Sequence, residues 1–256
     1  MRLIINADDF GMSRGVNLGI LDGFTRGVVT SSTIMMNMPY AEEAVRLAIE
    51  NKLDVGIHLV LTAGKPLSTD VPTLTGSDGN FKKRNVQLQE YNLEEVEREF
   101  RKQVERALRM GLVPTHIDSH HHIHAESGIA EIVADLAREL KVPIRVMNRK
   151  QIPDAFKDLK SPDKMVSKFY GEDLTLEAFE QILTDNMKYE VVELMCHPAY
   201  LDTYLLYQSS YGIPRVKEMD ILTSNEAKEI IERLGIELIS YADLWKEPVT
   251  VGKAQK

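Results

Sequence analysis

Short apolar runs alternate with longer amphipathic stretches along nearly the whole chain, and this alternation limits the fold more than any other feature. Residues 3–6, 28–36, 55–61, 115–121, 144–147, 191–197 and 237–240 read as strands. Residues 15–25, 41–51, 93–110, 128–140, 176–186 and 225–234 carry helical patterns. Thr175 and Ser224 stand where N-caps belong, and Gly111 and Gly235 where helices should end. Strands separated by helices pair in parallel, with the helices outside. The pattern predicts an α/β fold: an irregular (β/α) barrel of about seven parallel strands. An open doubly wound sheet is the alternative. With 256 residues, 43% of them hydrophobic, one domain over residues 1–250 and a flexible tail at 251–256 are expected.

Charge and composition exclude several roles. The net charge is -8 and no basic stripe appears, so neither nucleic acid nor an anionic membrane is an expected partner. No apolar run approaches the roughly 18 residues of a membrane span. The N-terminal apolar run is too short for a signal peptide. The single cysteine, Cys196, forms no intrachain disulfide and suits a reducing cytoplasm. No glycine-rich nucleotide motif follows a strand.

Three connections are long: 64–92, 148–173 and 199–223, the last holding Tyr200, Tyr204, Tyr207 and Tyr211. All three follow strands. In a parallel barrel they rise on one face and border a substrate cleft.

The seven histidines gather where such a barrel builds its site. His116, His120, His121, His122 and His124 lie in HIDSHHHIH, and His58 and His197 lie at or near strand ends. Strand alternation puts His116, Asp118, His120 and His122 on one face and His121 on the other. A helix would instead pair His120 with His124, but Pro114 and the alternating pattern favour strand through His121. At the first strand end, NADDFG sets Asp8 beside Asp9. Adjacent carboxylates raise each other's pKa unless a cation is near. Carboxylate and imidazole together suit Zn²⁺ or a similar divalent ion, and a catalytic site needs about three protein ligands. The chain turns at a strand end, so both acids can reach one cleft.

The segments NADDFGMSRGVNLGI, GVVTSSTIMMN, VGIHLVLTAGKPL, PTHIDSHHHIH and MCHPAY resemble, in order, the YdjC family of carbohydrate deacetylases, which includes chitooligosaccharide deacetylase. That family is similar to the polysaccharide deacetylases with their irregular barrels. The resemblance implies one divalent metal ion per chain, Zn²⁺ or Mg²⁺, held by Asp9, His58 and His120. It implies Asp8 as general base and His197 as general acid. A homodimer is the family-level expectation. The related polysaccharide enzymes take both histidine ligands from one HxxxH motif. Here His58 and His120 are far apart, which leaves His124 as a less favoured third ligand. No role for His121 or His122 follows from the match. His116 and Asp118 are either groups that orient the ligands or plain core polar residues. Arg145 either pairs with Asp8 and keeps it ionised or sits on a helix flank or the surface. Cys196 reads as an inert buried thiol.

The implied reaction removes N-acetyl groups from acetylated amino sugars or their oligosaccharides, with tyrosines such as Tyr200 and Tyr204 against the sugar. The rivals are a phosphoesterase or amidohydrolase with two metals, and a non-catalytic sugar or metal sensor.

Overall fold

The computed structural model describes residues 1–83 and 91–245. The expected tail at 251–256 lies outside the described residues, as do 246–250 of the expected domain and 84–90 of the first long loop. Among the described residues, seven strands form one parallel sheet: β1 (Arg2–Phe10), β2 (Ser31–Ile34), β3 (Val55–Leu59), β4 (Ile117–Ser119), β5 (Lys164–Val166), β6 (Val191–Cys196) and β7 (Glu237–Leu238). Their order is β4-β3-β2-β1-β6-β5, with β7 beside the start of β1. The helices are α1 (Arg14–Thr25), α2 (Ala41–Asn51), α3 (Leu93–Arg109), α4 (Ile129–Leu140), α5 (Leu176–Asn186), α6 (Thr203–Gln208), α7 (Ile213–Leu222) and α8 (Asn225–Arg233). None is long and apolar enough to cross a membrane.

Local chemistry sets these bounds. Thr175 and Ser224 cap α5 and α8, each accepting the N–H three residues on at 3.1 Å. Gly111 and Gly235 follow α3 and α8 with φ of +86° and +64°, a left-handed exit that a β-carbon would strain. β1 sits mid-sheet, and every residue after Arg2 is buried. This is the near-continuous apolar pattern of a parallel strand covered on both sides.

The two faces of β1 differ. Leu3, Ile5 and Ala7 join the main core between sheet and helices, where each large aliphatic side chain contributes about 1.5–3 kcal/mol. Ile4 packs with Val191, Ile239 and Tyr241 in a small separate cluster. Above Ile4 the same face carries Asn6 and Asp8.

The sheet edges do not stay open. Ile117 donates its N–H to Pro143 O, and Arg145 donates to Ile117 O, both at 3.0 Å. Further along, Met165 donates to Met147 O at 3.3 Å. The segment 143–148 therefore joins β4 to β5 as an irregular stave. The regular strand expected at 144–147 is corrected to isolated bridges, parallel at Ile144 and antiparallel at Asn148, because the segment changes partner midway. The irregular barrel is thus observed, and the open sheet is not. β5 lies inside the second long loop, and α6 and α7 lie inside the third.

The strand expected through His121 ends at Ser119. His120–Ala125 turn as a short 3-10 segment, with His121 and His122 both at φ +59°. Alternation therefore fails here, and His120, His121 and His122 all face one cavity.

Candidate active site

A cavity of about 850 Å³ opens at the carboxyl ends of the strands. Its wall includes Gly64, Asn80 and Lys83 from the first long connection, Ser167 and Tyr170 from the second, and Tyr204, Tyr211 and Arg215 from the third. The three connections share one cleft. Asp8, Asp9, His58, His120 and His197 reach the same cavity.

Asp8 and Asp9 should point to opposite sides of β1. Asp9 instead has φ +74°, where the register with β2 shifts between Ala7 and Phe10. Aspartate tolerates this left-handed backbone better than most residues. The departure turns Asp9 toward the cavity beside Asp8.

Asp8 is saturated. Its Oδ2 accepts from Arg145 Nη1 at 2.7 Å, and its Oδ1 accepts from Arg145 Nη2 at 2.6 Å and from Asn6 Nδ2 at 2.8 Å. Arg145 is fully buried and also binds Glu193 Oε1 and Asp118 Oδ2, both at 2.6 Å. Of the two roles left open for Arg145, the structure selects the pairing with Asp8. Burial pushes the Asp8 pKa up, but Arg145, with His58 and His197, drives it well below the usual carboxylate range.

Asp9 keeps one oxygen open. Its Oδ2 accepts from Arg215 Nη2 at 2.6 Å. Its Oδ1 is buried and accepts no hydrogen bond of normal geometry. His58 Nε2 lies 3.5 Å from that oxygen and His120 Nδ1 lies 3.2 Å from it. Burial raises the Asp9 pKa, while Arg215 and His120 hold it well below the ordinary value.

The donor set fits a divalent ion. Ligand atoms about 2.0–2.1 Å from a tetrahedral ion stand roughly 3.3–3.4 Å apart. The two measured separations bracket that value, and all three donor atoms lie within 4.8 Å of one another. Asp118 completes the arrangement. Its Oδ1 holds His58 Nδ1 at 2.7 Å, which leaves Nε2 as the free nitrogen. Burial would lower the His58 pKa, but Asp118 pushes it up to about 10. Thr33 donates to Asp118 Oδ2 at 3.1 Å. Asp118 thus bonds the His58 nitrogen that faces away from Asp9.

The other expected residues separate. His116 is a core residue, stacked on Tyr241 with ring centroids 3.7 Å apart. Gly56 makes the room, since a β-carbon there would meet His116 Nδ1 at 2.5 Å. His124 is buried, with Nδ1 on Ser119 Oγ at 2.6 Å and Nε2 on the Arg145 carbonyl at 3.2 Å. It braces the backbone that carries Arg145 and lies outside the ligand cluster. His121 meets Thr62 Oγ1 at 2.9 Å and packs on the His120 ring. Tyr204 lines the cavity, whereas Tyr200 turns away and donates to Asp22 Oδ2 at 2.5 Å. Cys196 is buried, and burial pushes its thiol well above the ordinary value, which makes it a poor nucleophile.

His197 stands on the far wall. Its Nδ1 is buried 3.6 Å from Glu218 Oε1, and its backbone N–H donates to Glu218 Oε2. The exposed ring edge is then the one carrying Nε2. Tyr211 donates its hydroxyl to Glu218 Oε1 at 2.5 Å. Sequence reasoning missed Arg215, Glu218, Glu193 and Tyr170. The one local signal for the first two is Gly212 followed closely by Pro214, which marks the start of α7.

Comparison with known proteins follows the same geometry. The sequence pattern of the family described as YdjC-like protein matches residues 2–233. A protein of Clostridium beijerinckii named carbohydrate deacetylase is 47% identical over 247 residues, covering 95% of this chain and all of that one. A solved structure from Enterococcus faecalis, described as a cellobiose-phosphate cleavage protein, superposes with a TM-score of 0.89 at 39% identity, covering 95% of this chain and 98% of that one. A peptidoglycan N-acetylglucosamine deacetylase structure shares the fold at 12% identity and a TM-score of 0.55, covering 96% of this chain and 89% of that one.

Proposed function

The chain belongs to the YdjC-like family, and from that premise we propose that it is a metal-dependent carbohydrate deacetylase acting on N-acetylated amino sugars. The observation that carries the proposal is the open oxygen of Asp9, buried between His58 Nε2 and His120 Nδ1 at the floor of the cavity. Asp9, His58 and His120 hold the ion, with Zn²⁺ favoured by the mixed nitrogen and oxygen donors and Mg²⁺ the alternative. The ion, when bound, polarises the amide carbonyl and makes water a stronger acid.

The chain's own groups handle the protons. Arg145 keeps Asp8 ionised, so its carboxylate can accept the proton of the attacking water at any working pH. The same pairing lowers its basicity, so the transfer depends on the water being acidified first. His197 gives a proton to the departing nitrogen from its cavity-facing edge, while Glu218 accepts the His197 backbone N–H and keeps a carboxylate oxygen 3.6 Å from Nδ1. Acetate and a free amino sugar are the products.

The two-metal rival is disfavoured. Asp8, His58 and Asp118 also converge, but Arg145 occupies oxygens of both acids. The sensor rival gives no work to Asp8 and His197 beside the ligands. The test is acetate release from acetylated mono- and oligosaccharides, including phosphorylated disaccharides, by metal-stripped and reconstituted enzyme. Release that needs the ion supports the proposal. No release from any acetylated sugar by fully loaded enzyme sinks it.

A further inference from the structure

One oxygen of Asp9 stands open because Arg215 has taken the other. Arg215 Nη2 donates to Asp9 Oδ2 at 2.6 Å, while Oδ1 faces His58 and His120. Arg215 is buried and held from a second side. Its Nε donates to the Tyr211 carbonyl at 2.7 Å, and its guanidinium stands over the Tyr211 ring, 5.5 Å from the centroid. Tyr211 is tied in turn: its hydroxyl donates to Glu218 Oε1 at 2.5 Å and accepts the Gly171 N–H at 2.8 Å. Arg215 and Glu218 lie on the same helix, α7. An arginine clamped in this way is not free to swing aside when an ion arrives.

The arginine does not sit there to satisfy its own donors. Its Nη1 is buried and meets no acceptor. A buried donor left unanswered weakens a fold. Arg145, in the cluster around Asp8, leaves no nitrogen without an acceptor. What the fold gains at Arg215 is a cation on one chosen oxygen of Asp9.

A carboxylate can hold an ion through one oxygen or through both, and the two modes suit different ions. Zn²⁺ takes about four ligands of mixed nitrogen and oxygen. Ca²⁺ takes about six to eight oxygens, often both from one carboxylate. An ion shared by both Asp9 oxygens would stand close to the guanidinium at Oδ2, and like charges repel. An ion on Oδ1 alone meets the two imidazole nitrogens instead.

We propose that Arg215 is a positioning residue for the metal site: by holding Oδ2 it limits Asp9 to one oxygen, and so selects an ion content with few, mixed ligands, such as Zn²⁺, over one that seeks many oxygens, such as Ca²⁺. This rests on the metal-dependent reading above. The test is calorimetry with Zn²⁺ and Ca²⁺, each added alone to metal-stripped unaltered protein, Arg215→Met and Arg215→Lys. In Arg215→Met the ratio of the Ca²⁺ to the Zn²⁺ Kd should fall by about tenfold, because both oxygens of Asp9 become available. Arg215→Lys keeps a cation beside Oδ2 and should keep most of the ratio. Lost packing alone would weaken both ions in the same proportion. An Arg215→Met protein in which Ca²⁺ gains nothing relative to Zn²⁺, including one that takes up no Ca²⁺, therefore overturns the proposal. If circular dichroism shows Arg215→Met unfolded, Arg215→Gln, also uncharged, is read in its place with the same expected fall.

This readout needs no acetate release, so the two proposals can fail separately. If the ratio falls but the loaded enzyme deacetylates no sugar, the deacetylase reading fails and the role of Arg215 stands. If sugars are deacetylated and the ratio is unchanged, only the role of Arg215 fails. Unaltered protein that binds no Zn²⁺ overturns both.

Discussion

Asp8 and Asp9 are neighbours, each meets one buried arginine, and the two regions they anchor are built to opposite ends. Around Asp8 every carboxylate oxygen has a partner. Arg145 gathers Asp8, Asp118 and Glu193, and Tyr241 donates to the remaining oxygen of Glu193 at 2.6 Å. Around Asp9 the answering is incomplete. Arg215 takes one oxygen, the other has no directed donor, and two imidazole nitrogens stand beside it. A saturated carboxylate holds its place and its charge. An unsaturated one, buried beside imidazole nitrogens, is a place for a cation. Two identical side chains thus meet different surroundings, one with both oxygens hydrogen-bonded and one with a buried oxygen that has no directed donor.

The largest expected effect tests the saturated side. Arg145→Met leaves three buried carboxylates without their cation, which should cost roughly 3–5 kcal/mol or abolish folding. Arg215→Met strips one carboxylate that a bound ion can still neutralise, and should cost clearly less with metal present. Thermal unfolding of both variants, with and without Zn²⁺, decides it, and a greater loss for Arg215 would reverse the comparison.

The next effect falls on turnover and separates the two acids directly. Asp9→Asn should lose the ion and the activity together. Asp8→Asn should keep the ion while turnover drops by roughly 10²–10⁴. Metal content per chain after dialysis, measured beside acetate release, is the check. Ion loss in Asp8→Asn with retention in Asp9→Asn would exchange the assignments.

The smallest effect reaches behind the saturated side. Burial, with Arg145 next, holds the His116 pKa well below its ordinary 6.5. The folded-state value lies below the unfolded one, so the unfolded chain takes up the proton first. Stability should therefore fall as pH drops below about 6.5, by up to about 1.4 kcal/mol per pH unit for this one group. His116→Phe keeps a ring against Tyr241 and removes the proton. Its stability–pH curve, from denaturant titrations between pH 7 and 5, should be flatter, and parallel curves would rule this out.

Much of this was readable beforehand, for identifiable reasons. The helices announced themselves because each buries one periodic face, and the longer strands because they are short, nearly continuous apolar runs. The residues that converge on the cavity were legible because acids and histidines fell at strand ends. Other features were hidden. β5 is three residues long, too short for any period to show. In α7 the charged Arg215 and Glu218 point inward, so the segment shows no clean apolar stripe. The turn at His120 was misread because alternation presumes extended backbone, and His121 and His122 are left-handed. Tyr200 was placed at the sugar because sequence neighbours look alike until one of them finds a partner such as Asp22.

The stave at 143–148 has a consequence for how the molecule comes to exist. Arg145 reaches Asp8 across 137 residues and Glu193 across 48. Contacts so distant along the chain close large loops and tend to form late in folding. Until Arg145 arrives, acids from β1, β4 and β6 oppose one another's approach. Closing the ring and gathering those acids therefore depend on the same arginine. A chain in which the 143–148 stave has not docked also lacks the cation that holds Asp8, Asp118 and Glu193 together, so the barrel and the cluster around Asp8 stand or fall as one.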